Sequence, residues 1–278
     1  MQTHQREVDR GERFRFGANW ARFLKAVDDR RVEAAVSSLR EMLQASDLAG
    51  KSFLDVGSGS GLFSLAARRL GAEVHSFDYD PQSVACTEEL KRRFCGECQG
   101  WRIEQGSVLD RGFLASLGQF DVVYSWGVLH HTGAMWDAVE NVAGLVKPGG
   151  LLYLAIYNDQ GWRSKYWRAV KRLYNTSRLV RGLMIALHLW YLYGLRAIVR
   201  FVGGKGPPPR GMSLWHDALD WLGGYPFEVA KPEEVVEFYR QRGIDAESVR
   251  TCGRKSGCNE FVFRRGKVPA EIPMTKHQ

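Results

Sequence analysis

The sequence predicts a doubly wound α/β fold: a mainly parallel seven-stranded sheet with helices on both faces and an antiparallel last strand. Three observations predict it. Short apolar runs alternate with amphipathic helical stretches from about residue 50 to residue 157. The first run breaks directly into a glycine loop. Two final strands, near Ile244–Thr251 and Asn259–Arg264, lie too close together for a helical crossover, so at least one must reverse direction. The composition agrees: 278 residues, 45% hydrophobic and 25% charged, match a soluble globular chain and exclude a disordered chain, a collagen-like fibre and a polytopic membrane protein.

The elements follow in order. Val32 to Leu43 has helical spacing ahead of the sheet. Ser52 to Val56 is the first strand and opens into Gly57, Gly59 and Gly61. Leu62, Leu65, Ala66 and Leu70 mark a helix that stops at Gly71. Glu73 to Phe77 is the second strand, closed by Asp78, Tyr79, Asp80 and Pro81, and Pro81 suits the first turn of a helix reaching about Phe94. Trp101–Gln105 and Phe120–Ser125 are the third and fourth strands. Met135 to Val146 is a helix, Lys147 to Gly150 a turn, and Leu151 to Tyr157 the fifth strand. Pro232 to Arg242 is the helix before the last two strands.

The charge is uneven. From Gln160 to His216 there is no Asp or Glu, while eleven Lys and Arg residues lie between Arg163 and Arg210. Those eleven exceed the net charge of +8, so the remaining chain is slightly acidic. This segment also carries Gly182 to Leu195, fourteen residues without a formal charge. That is short of the ~20 apolar residues that span a bilayer. Three readings stay open: a lid over the active site, an interfacial helix on anionic lipid through 178–202, or a basic platform for RNA. The expected organisation is an N-terminal helical lid segment (1–48), a ligand-binding core (49–158), a basic and apolar insertion (159–215), the C-terminal part of the core (216–266) and a tail (267–278).

Five cysteines suit a reducing cytosol, and the absence of an apolar N-terminal stretch predicts a cytoplasmic protein without a leader. Cys95 and Cys98 form a C-x-x-C, and Cys252 and Cys258 a looser pair. Nothing in the sequence brings the pairs together, so the expectation is free reduced thiols and no metal.

The loop Asp55-Val56-Gly57-Ser58-Gly59-Ser60-Gly61 is the most informative motif. Its spacing is GxGxG, not the GxGxxG of dinucleotide folds, and an acid precedes it inside the strand. Glycines let backbone N–H groups approach a ligand closely. Asp55 is awkward for a pyrophosphate but suits a positive amino group, and Asp78 stands where a carboxylate can hold both hydroxyls of a ribose. A ligand with an amino acid end, a cationic centre and a ribose is S-adenosylmethionine.

With FLDVGSGSG, HSFDYDP, GSVLD, FDVVYSWGVLHHT and VKPGGLLYLAIYN in that order, the chain resembles the class I S-adenosylmethionine-dependent methyltransferases. The resemblance implies that Gly57, Ser58, Gly59 and Gly61 line the methionine and ribose and that Asp78 and Tyr79 hold the ribose side. It further sets Ser107 and Val108 beside the adenine, Trp126 at the cofactor, and Asn19 and Trp20 of the RFRFGANWARF lid near the methionine end. VLHHT and the later His216-Asp217 are similar to the O-methyltransferases of ubiquinone biosynthesis, except that His130 stands where those enzymes place a glutamate. By the same resemblance Tyr157, Asn158, Trp215, Asp217 and Tyr225 line the acceptor.

The implied activity is methyl transfer to a small molecule, chiefly at oxygen. An acceptor hydroxyl is mostly protonated at neutral pH, so a neutral histidine within hydrogen-bond reach would take its proton. His131 is the first candidate, with His130 and His216 as alternates. Two other functions stay in view: a tRNA methyltransferase that uses the basic insertion, and a non-catalytic S-adenosylmethionine-binding scaffold.

Overall fold

The computed structural model describes residues 2–96, 98–189, 222–253 and 255–267. Three helices precede the sheet: α1 (Gln2–Asp9), α2 (Phe16–Leu24) and α3 (Asp29–Leu43). The core then alternates β1 (Ser52–Val56), α4 (Leu62–Arg69), β2 (Glu73–Asp78), α5 (Pro81–Phe94), β3 (Trp101–Gln105), α6 (Arg111–Leu117), β4 (Phe120–Trp126), α7 (Met135–Gly144) and β5 (Val146–Tyr157). Helices α8 (Trp162–Tyr174) and α9 (Arg178–Leu189) follow, and α10 (Pro232–Arg240), β6 (Ile244–Arg250) and β7 (Cys258–Arg265) close the sheet.

The seven strands lie in the order β3-β2-β1-β4-β5-β7-β6. β1 to β5 pair in parallel, and β7 runs antiparallel to both β5 and β6. The order reverses at β1, so the crevice beyond the carboxyl ends of β1 and β4 is the topological switch point where such sheets take ligands. Alternation along each strand fills two apolar layers. Leu54, Val123 and Leu152 face α7 and α10 through Val139, Val142 and Tyr239. Phe53, Tyr124 and Tyr153 face α3, α4 and α5 through Leu39, Leu65 and Leu90. A third cluster of Trp167, Val170, Tyr174, Leu222 and Phe227 sits past the end of β5 and receives Phe14 and Tyr157.

Three expectations change. Lys147 to Gly150, expected as a turn, lies inside β5, because Val146 already pairs with Phe120 and the ladder resumes at Val122 and Leu151 with the glycines bulged between. Helix α6 has no counterpart among the expected elements, since Leu114 is its one buried residue and a single apolar position gives no period. Cys95 and Cys98 are joined in a disulfide rather than free: Gly96 turns with φ +60° and brings their Cα atoms to 5.4 Å. Cys86, Cys252 and Cys258 remain thiols.

Candidate active site

The glycine loop is shaped by backbone need. Gly57, Gly59 and Gly61 have φ of +80°, +57° and +80°, a region that costs other residues strain. Space excludes a side chain too, since a Cβ on Gly57 would lie 2.4 Å from Val128 and one on Gly59 2.8 Å from the Trp20 indole. Two acids organise the loop from below and beside. Asp55 is 2% exposed, and its carboxylate accepts the Ser64 hydroxyl; Ser76 in turn donates to Ser64, and the Trp101 Nε1–H donates to Ser76. Burial, with a lesser push from the Asp78 charge, raises the Asp55 carboxyl to about 7. Asp78 closes β2, where its two oxygens accept the N–H of Gly59 and the N–H of Asp80, each at 2.9 Å. Burial again pushes it up, to about 6.

The N-terminal segment straps across this crevice. Gly17 N–H donates to Asp80 at 2.8 Å, and a Cβ there would strike Asp80 and Gln82. Glu7 accepts the Tyr79 hydroxyl at 3.0 Å and pairs with Arg13 at 2.6 Å. Arg13 then reaches the carbonyls of His131 (2.9 Å) and Thr132 (3.4 Å) while its guanidinium lies over the Tyr79 ring. Phe14 N–H donates to the Tyr225 carbonyl, and the Phe16 ring stands 4.8 Å from His131. One strap thus joins the end of β2 to the loop after β4. Asn19 is buried on α2, and its Nδ2 has no partner among the described residues.

His130 and His131 lie in a short 3-10 turn, Leu129–His131, past β4. Both are buried, with ring centroids 4.4 Å apart. The His131 Nδ1 is 2.6 Å from the Pro226 carbonyl, which accepts and so fixes the proton on Nδ1 and the lone pair on Nε2. Burial holds the imidazole near 3, against the raising pull of that hydrogen bond, with Lys171 and Arg13 pushing the same way as burial. His130 has the opposite polarity. Its Nδ1 accepts the Tyr157 N–H at 3.3 Å, leaving Nε2 as the protonated nitrogen, and Nε2 has no partner among the described residues. Burial, first, and the neighbouring His131 and Lys171 lower its pKa well below the ordinary histidine value.

Tyr157 stands between these rings and Phe227, at 3.9 Å from the His130 ring and 5.2 Å from Phe227. A small cavity beside it is lined by Asn158, Gln160, Ser164, Trp167 and Phe227 among others. Of the remaining expected residues, Val108 is buried under the crevice and Ser107 caps its own turn by accepting the Leu109 N–H. Asn158 is engaged at the β7 side with Gly253 and Asn259. Trp126 turns to the face of α3 to α5, where its Nε1–H donates to Glu260. His216, Trp215 and Asp217 lie outside the described residues. Among the described residues no three His, Cys, Asp or Glu side chains gather as a metal site.

Sequence reasoning missed Glu7, Arg13, Asp80, Lys171 and the Pro226 carbonyl. Asp80 carried a signal, because Asp-Pro is a helix-start pattern and its Oδ1 caps α5. A carbonyl carries none, since every residue has one.

A family described as a methyltransferase domain matches residues 54–152, the stretch from β1 through the glycine loop, both acids and the histidine turn into β5. The chain carries a class I S-adenosylmethionine-dependent methyltransferase domain. The ubiquinone biosynthesis O-methyltransferase of Bordetella avium is 29% identical over 209 residues, covering 74% of this chain and 84% of that one. The tRNA U34 carboxymethyltransferase of Methylococcus capsulatus is 34% identical over 139 residues, covering 49% of this chain and 38% of that one. In fold, the domain is similar to magnesium protoporphyrin IX methyltransferase from Synechocystis, at a TM-score of 0.52 and 15% identity over 84% of this chain and 83% of that one. The cofactor of this methyltransferase is S-adenosylmethionine. The site fits it: three left-handed glycines leave the loop backbone after β1 without side chains, and the buried Asn19 Nδ2 has no partner among the described residues.

Proposed function

We propose that this methyltransferase acts on a small molecule at a hydroxyl oxygen, with His131 as general base. The observation that carries the reading is the His131 ring, whose Nδ1–H is committed to Pro226 and whose Nε2 therefore bears the lone pair. Bound S-adenosylmethionine supplies an electrophilic methyl on its sulfonium. The chain's own work is to orient, to exclude water and to move one proton. Asp78, beside Tyr79, would hold the ribose hydroxyls on lone pairs not used by Gly59 and Asp80; Gly57, Ser58, Gly59 and Gly61 would admit the ligand against the backbone. Asp55 would set the negative field at the amino end, Asn19 would donate to the carboxylate, Trp20 would cover that end, and Ser107 and Val108 would flank the adenine. Tyr157 forms the aromatic wall on the acceptor side, and Asn158 and Tyr225 border it.

His131 stays neutral at physiological pH, so its lone pair is present without a titration step. Its proton affinity is low, but an attacking oxygen becomes strongly acidic as it bonds to the methyl, so a weak base in contact suffices. The strap of Glu7, Arg13 and Phe16 closes the crevice and keeps water from the reacting atoms. A cytoplasmic setting belongs to the same proposal. Among the described residues no helix is long and apolar enough to cross a membrane.

The test follows labelled methyl from S-adenosylmethionine into lipid, soluble metabolite, RNA and protein pools of a cell extract. Label in metabolites or lipids supports the reading. Label confined to RNA refutes it and favours the basic insertion as a phosphate track, in line with the tRNA-modifying relative.

A further inference from the structure

Helices α8 and α9 are built inside out. On α9, Met184 and Ile185 turn toward the third apolar cluster, and the His188 Nε2 lies 2.7 Å from the Tyr166 hydroxyl of α8. The opposite face carries Leu179, Leu183, Ala186 and Leu187, positions that share one side at helical spacing. Leu179 is 86% exposed, and Leu183 and Leu187 are each more than half exposed. An ordinary surface helix places its polar side outward. α8 repeats the pattern. Trp167, Val170 and Tyr174 are buried, while Trp162, Tyr166, Ala169 and Leu173 share an exposed face, with Trp162 at 72%. Lys165 and Arg172 border that face, are exposed, and make no ion pair with a described residue.

We propose that the outer faces of α8 and α9 dock on an anionic phospholipid surface. Charge selects this occupant. The segment from Gln160 to His216 has no acid, so a second copy of the chain would bring two basic faces together and be repelled. A nucleic acid would pair with the arginines but leave the leucine ridge in water. An anionic bilayer satisfies both, taking the leucines below its headgroups and the lysine and arginines at the phosphates. Trp162 and Tyr166 are the side chains that favour that boundary. A convex ridge also suits a fluid surface, which needs no complementary groove.

The full chain is mixed with vesicles of phosphatidylcholine alone or of phosphatidylcholine and phosphatidylglycerol, and sedimentation measures the bound fraction. Binding to the mixed vesicles alone, reversed by salt, is expected. Lys165→Gln with Arg172→Gln should lower partitioning about thirty-fold. The triple change of Leu179, Leu183 and Leu187 to Ser should abolish it while S-adenosylhomocysteine affinity, which reports the fold, is unchanged. Equal binding to both vesicles, or none to either, overturns the proposal. So does a triple variant that sediments like the wild type. A fall in melting temperature in that variant would mean that the chain itself covers the ridge, and a dimer lost with the leucines but indifferent to lipid would assign it to a second copy; each outcome sinks the lipid surface.

Discussion

Asp55→Asn should stabilise the unliganded protein at pH 8 and hardly at all at pH 4. Asp55 is buried, and its carboxyl is held near 7 instead of the ordinary 3.8. A raised folded-state pKa means that stability from this group is fully present below the unfolded value and is lost as pH climbs through the folded one. At 1.36 kcal/mol for each tenfold change in proton affinity, the ionised form costs on the order of 4 kcal/mol above pH 7, an upper bound because Asp78 shares the effect. Asparagine keeps an oxygen for the Ser64 hydroxyl and carries no charge. The gain of the variant over wild type should therefore grow by about 2–4 kcal/mol between pH 4 and pH 8. Urea unfolding of both proteins across that window measures it. The difference is the right quantity, because buried His130 and His131, with lowered pKa values, make the wild type more stable as pH rises toward 6.5 and cancel in the comparison. A pH-independent difference, or a variant less stable at pH 8, would refute the claim that Asp55 bears a penalised charge.

Other expectations bear on the site. Asp78→Asn should weaken S-adenosylmethionine binding by about 1.5–3 kcal/mol in calorimetry, the worth of hydrogen bonds to a charged group, and unchanged affinity would remove Asp78 from the ribose. His131→Ala should cut kcat by about 10²–10⁴ with cofactor affinity intact, and any break in wild-type turnover near pH ~6–7 should survive in the variant, since the His131 imidazole is neutral well below that. A normal kcat at saturating acceptor would end the general-base assignment. Arg13→Ala removes the bridge between Tyr79 and the histidine turn, so S-adenosylhomocysteine should dissociate faster in stopped-flow measurements; an unaltered rate would show that the strap does not gate the crevice.

What was legible in the sequence was local. The glycine loop, the acid closing β2 and the alternation of strands and helices each occupy a few consecutive residues whose types state their conformational need, and β1 to β4 sit within a residue or so of their expected bounds. The antiparallel end of the sheet was legible for a topological reason, the short connection between β6 and β7. Less legible was whatever depends on distant partners. Glu7 and Arg13 look like surface charges in sequence, and they become a strap only because the fold puts Tyr79 and the His131 carbonyl on either side of one crevice. The Cys95–Cys98 bridge depends on a left-handed Gly96 that spacing alone does not impose.

The two adjacent histidines show where that boundary falls. Sequence ranks His131 ahead of His130 but gives no tautomer to either, because each is an imidazole at the end of the same strand. The fold gives them opposite tautomers through two backbone groups. A carbonyl of Pro226 meets one Nδ1, and an N–H of Tyr157 meets the other. An acceptor carbonyl demands a proton on His131 Nδ1, and a donor N–H demands a lone pair on His130 Nδ1. In the neutral forms that burial imposes, the remaining nitrogens must then differ: Nε2 of His131 carries a lone pair, and Nε2 of His130 carries the proton. The difference between the two histidines rests on main-chain atoms whose residue types carry no record of it.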